Sequence, residues 1–168
     1  MIAEEKKWYA LYVASRQEKK VQEGLLSKGI EAYTPIVKTM RQWSDRKKMV
    51  ELPLIKGYVF VKHEATEKEK VFTVNGIVNY IRFERKPAVV RDNEIQALKE
   101  IISYGYETSV GNYGNLITGM NVKVTQGNFK GLSGTIIRKD KNEFFVIALE
   151  TIQQHIIIKL PMAVLEKV

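Results

Sequence analysis

A chain of 168 residues has room for one medium domain or two small ones and excludes a large multidomain enzyme. Hydrophobic residues make up 45% and charged residues 27%, a globular balance that argues against disorder, collagen or a membrane protein. Twenty-seven Lys and Arg against 19 Asp and Glu leave a net charge of +8, which points toward an anionic partner. With no cysteine, disulfides, zinc ribbons, iron–sulfur clusters and thiol nucleophiles are excluded together. His63 and His155 lie in different halves of the chain without a second histidine at ligand spacing, so they read as strand-end or surface histidines and no metal or other cofactor is expected. No run approaches the roughly 18 apolar residues of a membrane helix, and the expected location is the cytoplasm.

Trp8 to Val13 is a short aromatic and apolar run that suits a central strand. Ser15-Arg16-Gln17-Glu18 follows, a Ser-x-x-Glu capping box ahead of Val21, Leu25 and Leu26 at helical spacing, and Gly29 ends that helix. Glu31 to Thr34 is extended, because Pro35 forces the residue before it out of the helical region. From Val37 to Glu51, Lys38, Arg41, Arg46, Lys47 and Lys48 face Asp45 alone before Glu51, and Ser44-Asp45 marks a turn. This is a basic hairpin arm. A loop from Leu52 to Gly57 leads to the strand Tyr58 to Val61, with Tyr58 and Phe60 on one face and Val59 and Val61 on the other.

A short charged helix is expected from Thr66 to Phe72, a strand from Tyr80 to Phe83, an extended piece from Pro87 to Val90, and a helix capped by Asp92 running through Ile95, Leu98, Ile101 and Ile102. Tyr104 to Asn115 has glycines and polar residues without a period and reads as a linker. Beyond it, Asn121 to Gln126, Thr135 to Lys139, Phe144 to Leu149 and Gln154 to Leu160 are β-rich runs split by Gly127, Gly131, Gly134 and Asp140-Lys141-Asn142, the pattern of a small barrel. The aromatic and β-branched runs Phe144 to Ile147 and Ile156 to Ile158 favour strands over helix there. The domains expected are 1–102 and 117–168, joined by 103–116. Residues 1–102 hold 20 Lys and Arg against 14 Asp and Glu, the remainder 7 against 5, so the anionic partner belongs mainly to the first domain.

The segment from Gly119 to Ile136 sets Gly127, Gly131 and Gly134 around Phe129, a pattern that by itself allows a tight loop with a ring at its tip. It resembles a KOW motif. Together with the upstream WY strand, the capped helix and Pro53-Leu54-Ile55-Lys56-Gly57-Tyr58-Val59-Phe60-Val61, the chain resembles the NusG family of transcription elongation factors from Trp8 to Val168. KOW segments also occur in ribosomal proteins, so it is the two motifs in this order that carry the resemblance. The long basic stretch and irregular linker are similar to specialised paralogues such as RfaH or the UpxY antiterminators of capsular polysaccharide operons.

The resemblance implies an α+β chain, with an N-terminal α/β sandwich whose antiparallel-rich sheet is flanked by helices and a C-terminal SH3-like KOW β-barrel. It implies a monomer without enzymatic activity, acting in transcription elongation or antitermination. The first domain would seat an apolar depression on the clamp helices of RNA polymerase, at positions matching Pro53, Ile55, Tyr58 and Phe60, with Trp8 and Tyr12 beneath or beside it. Specialised members touch the nontemplate DNA strand, which transfers to Arg16, Gln17, Lys19, Lys20, Lys68 and Lys70; a solvated charged face explains these cations equally well, and Ala14 and Ser15 stand where RfaH-type proteins are basic. The KOW domain would recruit Rho or a ribosomal protein through Phe129, flanked by Gly127, Lys130 and Gly131.

The basic arm reads either as a backbone-contacting hairpin with Trp43 stacked on a base or as a solvated hairpin whose Trp43 packs on its own stem. No grouping of acids with Ser, His or Lys forms a recognisable catalytic order, and there is no Walker loop or Rossmann fingerprint. The rival to a transcription factor is a ribosome-associated or RNA-binding KOW protein acting in translation.

Overall fold

The computed structural model describes residues 4–103, 108–112, 120–125, 133–139, 142–149, 154–158 and 165–167. The chain divides into two compact units, Met1–Asp92 and Asn93–Val168.

The first unit is built on an antiparallel sheet. Its central strand β1 (Lys7–Val13) pairs with β5 (Tyr58–His63) on one side and with β6 (Ile77–Tyr80) and β9 (Val89–Val90) on the other, while β2 (Glu31–Tyr33) adds to the outer edge of β5. Strand alternation decides the two faces. Leu11 and Val13 of β1, Val59 and Val61 of β5 and Ala32 of β2 fall on one side, where Val21 and Leu25 of α1 (Glu18–Ser27) and Val71 of α2 (Lys68–Phe72) pack on them. The second face carries Trp8, Ala10 and Tyr12 opposite Lys62, Phe60 and Tyr58.

Helix α1 ends as its sequence predicts: Gly29, at φ 75°, gives its N–H to Leu26 O, and the Ile30 N–H returns to Leu25 O at 3.0 Å, a Schellman closure that glycine allows without strain. Its start differs from expectation. The N-cap is Gln17 with no side-chain cap bond, so the Ser15–Glu18 capping box is not formed. The Glu18 carboxylate is buried instead and accepts the N–H of Gly57 at 2.9 Å. A distant donor has replaced the local one, because a buried carboxylate and a buried N–H each need a partner.

The basic arm is a two-stranded hairpin of β3 (Ile36–Gln42) and β4 (Lys47–Pro53), in register from Ile36↔Pro53 to Gln42↔Lys47, and Ser44-Asp45 makes its turn. The expected strand from Tyr80 to Phe83 is split. Tyr80 closes β6, the Ile81 N–H donates to Ala10 O at 2.8 Å, and β7 (Arg82–Phe83) and β8 (Lys86–Pro87) make a separate small hairpin. Its turn residues Glu84 and Arg85 sit at φ 49° and 67°, a conformation usually left to Asn-Gly.

In the second unit, α3 (Asp92–Ser103) buries Ile95, Ala97, Leu98 and Ile101 along one side. Six strands follow: β10 (Thr108–Asn112), β11 (Met120–Val124), β12 (Ser133–Lys139), β13 (Asn142–Leu149), β14 (Gln154–Ile158) and β15 (Leu165–Lys167), in the antiparallel order β10-β14-β13-β12-β11-β15. Two details depart from the sequence reading. Thr108–Asn112 is a strand inside the expected linker, because β14 supplies a ladder from Thr108↔Ile158 to Asn112↔Gln154 that local propensity does not reveal. Gly134, expected to interrupt strands, lies within β12 opposite Val122.

Candidate functional site

The second face of the central sheet changes character along its length. Trp8, Ala10 and Phe60 are buried at 4%, 0% and 1% exposure, whereas the next cross-strand pair, Tyr12 and Tyr58, opens to solvent, Tyr12 at 45%. The two rings lie 4.9 Å apart and the Tyr58 hydroxyl donates to the Tyr12 hydroxyl at 3.1 Å. Desolvation by burial, then the bond to Tyr12, pushes the Tyr58 phenol well above its ordinary value of 10.0. The pair is aromatic, and because the Tyr12 oxygen accepts from Tyr58, the Tyr12 hydroxyl keeps its donor for a partner.

The loop before Tyr58 is held from beneath. Ile55 is buried at 2% exposure, Gly57 adopts φ 82°, and while its N–H goes to Glu18 its carbonyl accepts the Val13 N–H at 2.9 Å. Pro53, half-buried at the end of β4, stands opposite Ile36 at the root of the hairpin. Of the six residues predicted for an apolar depression, the fold thus leaves Tyr12 and Tyr58 accessible, Pro53 at the margin, and Trp8, Ile55 and Phe60 inside.

The cations of the helices lie on the opposite side of the sheet. Arg16 is exposed at φ 64°, a left-handed conformation roughly 1–2 kcal/mol above the usual one for a residue with Cβ. It is held there by the Gln17 N–H on Ala14 O at 3.0 Å and the Ala14 N–H on Gly76 O at 2.7 Å. Gln17 is half-buried as the N-cap and Lys20 is exposed, but Lys19 turns to Glu51 of the hairpin, Nζ to Oε2 3.1 Å. Lys70 is exposed, while Lys68 sits over the Tyr80 ring at 5.6 Å. A Cβ on Gly24 would lie 2.8 Å from Val74, so α1 and the segment after α2 approach closely. Phe129, Gly127, Lys130 and Gly131 lie outside the described residues.

A polar cluster the sequence did not announce closes the far end of β5. His63 is buried, its Nδ1 lies 2.6 Å from Glu64 O and its Nε2 2.9 Å from the Tyr80 hydroxyl. A carbonyl can only accept, so Nδ1 carries the proton and Nε2 receives the phenol. Tyr9 stacks on the imidazole at 4.8 Å. Both imidazole nitrogens and the Tyr80 hydroxyl have partners, which marks the cluster as structural. Among the described residues no group of His, Cys, Asp and Glu could hold a metal ion, and no helix is long and apolar enough to cross a membrane.

Residues 6–99 match the family model described as transcription termination factor nusG. The chain belongs to the NusG family. The transcription termination/antitermination protein NusG of Rickettsia typhi is 25% identical over 148 residues, covering 81% of this chain and 76% of that protein. The solved structure titled "Domain interaction in Thermotoga maritima NusG" superimposes with a TM-score of 0.57 over 97% of each chain at 23% identity, a likeness of fold. This NusG-family chain is accordingly a transcription termination/antitermination factor and not an enzyme.

Proposed function

We propose that the chain is an elongation and antitermination factor that docks its first unit on the clamp helices of RNA polymerase through the Tyr12–Tyr58 end of the central sheet. The observation that carries this reading is the abrupt change along one sheet face from buried Trp8 and Phe60 to a hydrogen-bonded tyrosine pair in which Tyr12 is exposed and Tyr58 half-buried. Two rigid aromatic rings held by a hydroxyl bond offer large contact area at little entropic cost, the usual make-up of an interface anchor. Bound there, the protein suppresses pausing or termination. Arg16 and Lys20, with Lys70, follow the nontemplate DNA strand from the helical side; Lys19 and Lys68, engaged with Glu51 and Tyr80, contribute less. Residues 117–168 form the KOW barrel that recruits Rho or a ribosomal protein through Phe129, and the basic arm fits a specialised paralogue serving particular operons.

The test is co-purification of core RNA polymerase with the full chain. Tyr12→Ala with Tyr58→Ala removes both rings of the accessible pair, each expected to cost about 2 kcal/mol or more, so binding falls by well over thirty-fold with the fold intact. Undiminished binding by the folded double variant refutes the site.

A further inference from the structure

We propose that the distal half of the β3–β4 hairpin is a docking platform for single-stranded DNA, a contact separate from the polymerase surface. The proposal extends the reading of the chain as a transcription factor but rests on the hairpin's own register. Alternation along the paired strands puts Val37, Thr39 and Arg41 on one face with Leu52, Val50 and Lys48. Trp43 and Arg46 continue that face at the tip, exchanging both backbone bonds across the Ser44-Asp45 turn at 2.8 and 3.3 Å. Arg41 is thus opposite Lys48, and Trp43 opposite Arg46, on one surface.

Two like charges directly opposite on a ladder repel. Arg41 and Lys48 have no ion pair among the described residues, and the nearby acid Glu51 lies on the other face, opposite Lys38 and bonded to Lys19. A phosphate between the two side chains relieves that repulsion. Trp43 is 54% exposed, so more than half of its surface is open to a partner. An exposed ring beside cations set opposite one another suits an unstacked base followed by its backbone, which a duplex does not present. The cations and the indole N–H supply donors for phosphate and base acceptors, and single-stranded DNA is the occupant that the proposed transcription function brings to the protein. The Lys19–Glu51 bond ties α1 to the other face of the hairpin and leaves the Arg41–Lys48 face clear of the helix.

The test uses the full chain and oligo(dT) without polymerase. Trp8 is buried, so quenching of tryptophan emission on titration reports Trp43. Oligo(dT) should quench it; Trp43→Ala should weaken binding about ten-fold, measured by anisotropy of a labelled oligonucleotide. Arg41→Ala with Lys48→Ala should lower the slope of log K against log salt by about 1.4, two single-strand phosphate contacts. Tyr12→Ala with Tyr58→Ala should bind oligo(dT) like the parent, which separates failure of this contact from failure of the polymerase site. Unquenched Trp43 emission, or an unchanged salt slope, overturns the platform. Tighter binding of oligo(U) than of oligo(dT) overturns the assignment to DNA.

Discussion

The two faces of the first unit's central sheet use the same strands to opposite ends. On the helical face, Leu11, Val13, Val59 and Val61 meet Val21, Leu25 and Val71 in a continuous apolar core, flanked by satisfied polar groups at Glu18 and His63. On the other face the buried row continues only as far as Phe60 and Ala10 before it gives way to half-buried Tyr58 and exposed Tyr12. Strand β1 is therefore core along its odd positions, and along its even ones it passes from buried Trp8 and Ala10 to exposed Tyr12, the end proposed for docking. A residue type does not tell which job it has; its distance along the strand does.

The sharpest way to expose that difference is to truncate neighbours on the same face. Phe60→Ala removes a ring at 1% exposure and should destabilise the protein by roughly 3–5 kcal/mol in urea unfolding. Tyr58→Ala, two residues away, should cost about 1–2 kcal/mol, since it gives up one hydroxyl bond and the contacts of a half-buried ring. Equal losses would mean that the tyrosines are core and the comparison is wrong.

A smaller effect links the two faces. Glu18 reaches from the helix to the Gly57 N–H that sets the entry to Tyr58. Glu18→Ala leaves that N–H without its partner and should cost about 1–3 kcal/mol, while Glu18→Gln keeps an acceptor oxygen and should recover part of the loss. If alanine and glutamine lose the same amount, the bond contributes nothing that shape does not.

Much of this was legible in the chain because it is local. The alternation in Trp8–Val13 and Tyr58–Val61, the Gly29 closure and the Ser44-Asp45 turn each depend on residues within a few positions of one another. What escaped was decided at long range. Ser15 and Glu18 have the spacing of a capping box, yet Glu18 is taken by a donor 39 residues away. Thr108–Asn112 has little strand character until β14 pairs with it. In the candidate site, Tyr12, Tyr58, Phe60 and Trp8 were all visible as aromatics, but only burial separates the accessible pair from the interior one, and the sequence holds no local sign of it.

The smallest predicted effect appears at high pH. Tyr9, Tyr33, Tyr58 and Tyr80 are all raised above their ordinary 10.0, by burial first in each case, because the folded protein disfavours their charged forms. Their contribution is complete below about pH 10, where the unfolded phenols are still protonated, and declines as pH rises beyond it, since the unfolded chain then releases protons the folded chain retains. Tyr58→Phe removes one of these groups and should flatten the decline measured by urea unfolding across that range. A decline as steep as the parent's would show that Tyr58 is not held neutral by its surroundings.

The central claim is that polymerase is met by the tyrosine end of the sheet and not by the helical side. A photo-crosslinking amino acid placed at Tyr12 or, on the helical side, at Leu26, which is 48% exposed, compares the two surfaces within one protein. Illumination of the full chain with core RNA polymerase should give adducts to the clamp helices from position 12 and none from position 26; adducts from position 26 alone would contradict the account.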